Sequence, residues 1–207
     1  MITRRISVNV GGLWRTSVEL KEEVTWFNLK KEIEKATGIW FQYMKLNPNG
    51  ENNKRCNLEE GDDVFCDWKF PNGEHPLHYA AATYGNIKAI HSWMTSGADV
   101  NVTNGYGRTP LMLVCFHLKE ECVVELLRLG ANVHMINNKG NTALHHVGNT
   151  YGYYLEKIER IAKMLIKAGC DPTKRNNENE TFIDILKSRG NEKLAIELEE
   201  WMKETMK

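Results

Sequence analysis

The chain has 207 residues with 27 Lys/Arg against 27 Asp/Glu, and residues 1–69 balance separately at eleven of each. This leaves no basic face that nucleic acid would find by charge, and no apolar run approaches the roughly 18 residues that span a bilayer. The cysteines, five in number with no Cys-x-x-Cys pair, fit reduced thiols rather than a disulfide framework, and the N-terminus has no continuous apolar stretch of the kind a secretory signal needs.

Along residues 1–69, Ile6, Val8 and Val10 alternate as a half-buried strand does, and Thr16, Val18 and Leu20 alternate again. Gly11-Gly12 between them predicts a hairpin. Trp26, Leu29, Ile33 and Ala36 are spaced by three or four and predict an amphipathic helix that Thr25 caps and Gly38 ends. Two short strands are expected around Tyr43–Leu46 and Val64–Trp68. Trp68-Lys69-Phe70-Pro71 has no Gly/Ser-rich spacer, so a rigid joint to residues 70–207 is expected.

Residues 70–207 repeat. Pro76-Leu77-His78, Thr109-Pro110-Leu111 and Thr142-Ala143-Leu144-His145 recur at 34 and then 33 residues. Each is answered about twenty residues later by Gly97-Ala98-Asp99-Val100-Asn101, Gly130-Ala131-Asn132-Val133 and Gly169-Cys170-Asp171-Pro172. A period of this size means stacked units. Thr before Pro opens a helix, since Thr caps and Pro at the first position loses no needed N–H. Second helices are predicted from Val123, Val124, Leu126 and Leu127, and from Ile158, Ile161, Ala162, Leu165 and Ile166. Gly97, Gly130 and Gly169 stand where helices end. The third unit runs 39 residues from Gly130 to Gly169, and its extra length is expected between its two helices, near Gly148 to Tyr154. The fourth, from Asn176, is polar along its length and is expected to act as a terminal cap that completes the array.

These motifs resemble the ankyrin repeat, over four units at about 70–103, 104–136, 137–175 and 176–207. The order of elements in residues 1–69 resembles the ubiquitin-like β-grasp. Together they resemble ankyrin repeat and ubiquitin domain-containing proteins. The fold class expected is therefore α+β: an N-terminal ubiquitin-like β-grasp followed by an all-helical ankyrin solenoid. Aligned on that resemblance, ubiquitin's apolar patch falls on Lys45, Phe65 and Asp67, which do not rebuild it. Gly11-Gly12 is internal, so conjugation through a terminal Gly-Gly is not expected.

No His/Cys spacing matches a zinc site and no Gly-rich phosphate loop is present, so no metal, cofactor or enzymatic activity is expected. The ankyrin resemblance implies structural roles for His78 and His145, bonding between neighbouring loops. Cys115 and Cys122 are read as small apolar residues. The resemblance further implies a protein ligand in the concave groove. It would be held by the turn residues Asn72, Glu74, Asn104, Tyr106, Arg108, Asn137, Lys139, Asn141, Asn177 and Asn179, and by Thr83, Tyr84, Phe116, His117, Asn149 and Tyr151 on the short helices. Tyr and Arg are favoured at binding hot spots. The expected function is that of a non-enzymatic scaffold or adaptor in the cytoplasm, with nucleus or cilium open. Two other readings remain: an adaptor of the ubiquitin–proteasome pathway, and a structural subunit of a cytoskeletal or ciliary assembly.

Overall fold

The computed structural model describes residues 4–10, 14–20, 29, 31–34, 44–47, 63–68, 75–82, 85–95, 97–150 and 154–205. They fall into two compact units, Met1–Ala80 with Asn86–Asp99, and Ala81–Gly85 with Val100–Lys207.

In the first unit, β1 (Arg4–Val10), β2 (Trp14–Leu20), β3 (Met44–Asn47) and β4 (Asp63–Trp68) form one sheet in the order β2-β1-β4-β3. The alternating segments pair antiparallel, with Val8 opposite Thr16. β1 runs parallel to β4, and β4 antiparallel to β3. Leu29 and residues 31–34 are helical, and Leu29 and Ile33, one turn apart, are fully buried.

The expected fold class needs correction. Residues 21–28, 35–43 and 48–62, which would carry the rest of a ubiquitin-like β-grasp, lie outside the described residues, and so does the joint beyond Trp68. Alternation and four-residue spacing settle which side of a local element faces inward. They do not settle the family to which a small sheet belongs. The ubiquitin-like assignment is therefore not retained, and the chain's described architecture rests on its helical repeats.

Those repeats comprise α1 (Pro76–Ala82) and α2 (Ile87–Thr95), α3 (Pro110–Phe116) and α4 (Glu120–Arg128), α5 (Ala143–Gly148) and α6 (Leu155–Lys167), and α7 (Phe182–Ser188) and α8 (Glu192–Thr205). In the second unit the short helices α3, α5 and α7 stack directly on one another, more closely than α4, α6 and α8 do. All six residues of α5 are buried between its neighbours. A helix this short has no stability of its own, so packing holds it. Gly148 allows the approach: a Cβ there would sit 3.1 Å from Phe182 Cδ2 and 3.2 Å from Ile185 Cγ2.

Caps match the sequence. The Thr109 hydroxyl accepts the Met112 N–H at 3.3 Å. Asp184 Oδ2 accepts the Thr181 N–H at 2.9 Å, while the Thr181 hydroxyl accepts the Asp184 N–H at 3.2 Å. The longer helices bury Cys122, Val123 and Leu126 in α4 and Ile158, Ile161, Ala162, Leu165 and Ile166 in α6. Val124, expected inward, is 52% exposed: the buried stripe of α4 already takes Cys122, Val123 and Leu126, and a third consecutive residue turns out of it. The extra length of the third repeat is only partly where it was expected. The connection from α5 to α6 is three residues longer than that from α3 to α4, but α6 is also longer, at 13 residues against 9.

Turns before the short helices are stapled by one asparagine each. Asn104 Oδ1 accepts the N–H groups of Tyr106 and Arg108, both at 3.0 Å. Asn137 Oδ1 does the same for Lys139 at 2.9 Å and Asn141 at 3.0 Å, and Asn176 Oδ1 for Glu178 and Glu180, both at 3.0 Å. Successive turns then bond edge to edge. The Asn138 N–H donates to Tyr106 O at 3.1 Å, and the Asn177 N–H to Lys139 O at 3.0 Å.

Gly107 occupies this contact with φ +72°. A Cβ on it would lie 2.5 Å from Asn138 Oδ1 and 3.0 Å from Asn138 N. Gly130 ends α4 with φ +88° and would meet nothing within 4 Å. Gly130→Ala is therefore expected to cost about 1 kcal/mol from backbone strain alone. Gly107→Ala should cost more, about 2–4 kcal/mol, because the next turn must also move. Equilibrium urea unfolding of both variants tests the ranking, and equal losses would refute the stacking role of Gly107.

Candidate functional site

Of the expected binding residues, the turn and short helix of the second repeat carry Tyr106, Arg108, Phe116 and His117. Tyr106, at the tip of its turn, is 48% exposed, and the Arg108 guanidinium lies over its ring at 5.4 Å. Phe116 is the last residue of α3, six steps beyond Pro110, about 9 Å at the helical rise. Phe116 is 37% exposed and meets His117 edge-on at 5.3 Å and His146 at 6.4 Å. Tyr106, Arg108, Phe116 and His117 thus share one strip, with His146 beneath it.

The other expected residues divide. Asn104 and Asn141 are buried, and so is Asn137. The side-chain oxygens of Asn104 and Asn137 hold their own turns, and Asn141 Oδ1 accepts the Asn176 Nδ2 group at 2.9 Å. Lys139 is exposed at the third turn. Asn149 is half-buried, and its Oδ1 accepts from Arg189 Nη2 at 3.1 Å. Asn177 and Asn179 are exposed on the fourth turn. Asn72, Glu74, Thr83, Tyr84 and Tyr151 lie outside the described residues.

Two adjacent histidines sit under the strip with opposite proton placement. His145 Nδ1 accepts the Thr142 N–H at 3.2 Å, so its proton is on Nε2, which donates to Glu180 O at 3.1 Å. His145 therefore ties its repeat to the next turn. His146 Nε2 faces Asn137 Nδ2 at 3.1 Å. Asn137 has committed its oxygen to backbone N–H groups, so its amide donates, and His146 accepts. Burial lowers the pKa of both imidazoles, and for His146, with Arg108 and His145 nearby, it falls to about 4. The cysteines are equally inert. Cys115 and Cys122 are buried and free, and burial raises both thiols, Cys122 to about 11.

Beyond Phe116 the surface continues into a cleft of about 420 Å³ lined by Phe116, His117, Leu118, Lys119, Thr150, Tyr154 and Lys157. Tyr154 is 62% exposed, with Lys157 Nζ at 5.8 Å from its ring centroid. Sequence reasoning missed Lys119, Lys157 and His146. Tyr154 belongs to the tyrosine run of the longer connection, which the sequence marks as a bulge that could bind a partner, and Lys157 comes one turn later. No signal existed for His146, which stands where the neighbouring repeats have Leu113 and Ile185. Among the described residues, no group of three or more His, Cys, Asp or Glu could hold a metal ion, and no helix is long and apolar enough to cross a membrane.

Comparison with known proteins locates the similarity in this same stretch. The family model for ankyrin repeats (3 copies) matches residues 77–176. That segment carries ankyrin repeats, and the match does not extend to residues 1–69. XBAT35 of Arabidopsis thaliana is 26% identical over 138 residues, covering 62% of this chain and 29% of its own length. E3 ubiquitin-protein ligase XB3 of Oryza sativa subsp. japonica is 39% identical over 62 residues, which is 30% of this chain and 14% of XB3. Potassium channel AKT2/3 of Arabidopsis thaliana is 25% identical over 130 residues, 58% of this chain and 15% of the channel. The chain thus spans less than a third of each of these relatives. The expectation of a non-enzymatic protein is corrected by the ligase names among them: a missing catalytic motif in a repeat segment says nothing of the chemistry of proteins built around such repeats.

His146 makes acid sensitivity testable. With its pKa lowered from 6.5 to about 4 in the folded chain, its contribution is whole above pH 6.5 and lost as pH falls toward 4. The loss should reach about 3 kcal/mol. His146→Gln keeps an acceptor for Asn137 and removes the titration. Unfolding free energies between pH 7 and 4 should therefore fall less steeply in the variant. Parallel curves would refute the neutral buried imidazole.

Proposed function

We propose that the ankyrin segment recognises a protein partner through the strip of Tyr106, Arg108, Phe116 and His117. The carrying observation is an exposed tyrosine stacked on a half-buried arginine, with an exposed phenylalanine at the end of the same short helix. Asn104, Asn137, His145 and His146 fix the backbone under the strip, so little ordering entropy is left to be lost on binding. Large aromatic and guanidinium groups on a rigid support are the groups that dominate interface energies. Lys139 on the next turn extends the surface.

The matched relatives support recognition as the shared element. One is named as a ubiquitin ligase and another as a potassium channel, and these chemistries have nothing in common besides what the repeats could bind. A second reading, favoured by the ligase name, is that the recognised protein is the target of ubiquitin transfer.

The test is affinity capture with the wild-type chain beside Tyr106→Ala/Arg108→Ala, followed by direct affinity measurement on the captured protein. The double variant should bind at least about tenfold more weakly with its melting temperature preserved, a loss of about 1.4 kcal/mol or more. Undiminished affinity would remove the strip as the recognition surface. For the second reading, ubiquitination of the captured protein should fall in parallel.

A further inference from the structure

The cleft at the far end of the strip has a chemistry that the strip itself lacks. Among the described residues, none of the seven that line it bears a carboxylate, while Lys119, Lys157 and His117 bring three nitrogen-bearing side chains to it. Phe116 and Tyr154 supply exposed aromatic faces, and Leu155 beside Tyr154 is 39% exposed.

Carboxylates approach the same two lysines from an adjoining cleft, which Glu120, Glu121 and Arg160 line together with Lys119 and Lys157. There Glu120 is paired with Arg160 at 2.8 Å. Glu121 and Glu156, in the first turns of α4 and α6, do not line the cleft beside Phe116. Neither lysine makes an ion pair among the described residues. Lys119 acts instead on His117, whose pKa it lowers together with burial. Two cations and an imidazole held together around an apolar floor repel one another weakly, and an anionic occupant relieves that repulsion.

We propose that this cleft docks an acidic linear segment of a partner protein, with an aromatic or aliphatic side chain seated between Phe116 and Tyr154 and Asp or Glu side chains meeting Lys119 and Lys157. The volume suits one or two side chains. Burial of the aromatic faces supplies affinity, and the lysines select charge and speed encounter. The assignment goes beyond recognition by the Tyr106–Arg108 strip and stands or falls separately from it.

Selection of short random peptides displayed on phage against the full chain tests it directly. Recovered peptides should be enriched in Asp and Glu flanking one aromatic or aliphatic residue. A synthetic representative should bind Lys119→Glu/Lys157→Glu at least about tenfold more weakly. Its affinity for the wild type should fall with rising salt. Lys157 is exposed and Lys119 half-buried, so the single variant Lys157→Glu, which should melt as the wild type does, is measured beside the double variant and should also bind more weakly. Phe116→Leu should weaken binding without altering the salt dependence. Recovery of neutral or basic peptides, no enrichment, or equal binding to the charge-reversed chain would each overturn the proposal. Acidic peptides whose binding is lost in Tyr106→Ala/Arg108→Ala but not in the lysine variant would overturn it too, while leaving the strip as a recognition surface.

Discussion

The carboxamide of one asparagine per turn is the interaction on which the array depends. A tight turn that projects from a helical layer leaves several backbone N–H groups facing inward, and a buried N–H without an acceptor costs on the order of 1–3 kcal/mol. Asn104, Asn137 and Asn176 each place a single oxygen between two such groups. With the interior of each turn satisfied, its edge is free to bond to the next, as Tyr106 O does with the Asn138 N–H. That backbone contact sets the spacing of the repeats and the direction of each succeeding short helix. It also dictates glycine at positions 107 and 140, where the succeeding turn occupies the space of a Cβ. The equivalent Asn179 takes the same left-handed conformation, at φ 64°, which asparagine tolerates.

The same constraint explains where the third repeat could grow. Its turn and short helix are fixed by bonds to both neighbours: His145 reaches Glu180 O of the fourth repeat, and the Asn138 N–H reaches Tyr106 O of the second. Added residues are accommodated only at the opposite end, in the connection after α5 and in the first part of α6. This growth carries Tyr154 and Lys157 to the end of α3, beside Phe116 and Lys119. The cleft is therefore a product of one lengthened repeat rather than of the repeating pattern.

What repeats was legible in the sequence. Thr-Pro, Gly and Asn punctuate the chain because caps, positive φ and stapled turns each demand a residue type. The tip residues Tyr106 and Arg108 are found from their place next to those marks. What differs between repeats was legible only in part, as the longer connection of the third repeat was. The asparagine of the turn reads as a surface polar residue, yet Asn104 is 5% exposed, because its polar atoms are used inward. Val124 and the longer α6 depend on packing between layers, which local periodicity does not encode. His146 replaces the apolar residues of its neighbours, and only the Asn137 amide on the adjacent turn reveals why a histidine is tolerated there. For residues 1–69, alternation showed the hairpin, whereas family membership cannot be had from it. Enzymatic character lay beyond reach for a different reason: repeats are shared among proteins whose activities differ.

Charge pairing outside the cleft explains how a chain of zero net charge keeps a cationic hollow. Glu120 with Arg160, Glu159 with Lys163 and Glu125 with Arg128 pair on the long helices at 2.6–2.8 Å. Such exposed pairs add little stability, typically about 0–1 kcal/mol each. Their larger effect is spatial. Glu120, the carboxylate nearest Lys119 in sequence, is committed to Arg160. Lys119 and Lys157 then supply the charge that lines the cleft itself, even though positive and negative side chains balance over the whole chain. Screening at physiological salt cancels the distant charges beyond about 8 Å, so an approaching segment senses these two lysines and the aromatic floor beneath them, not the neutral total.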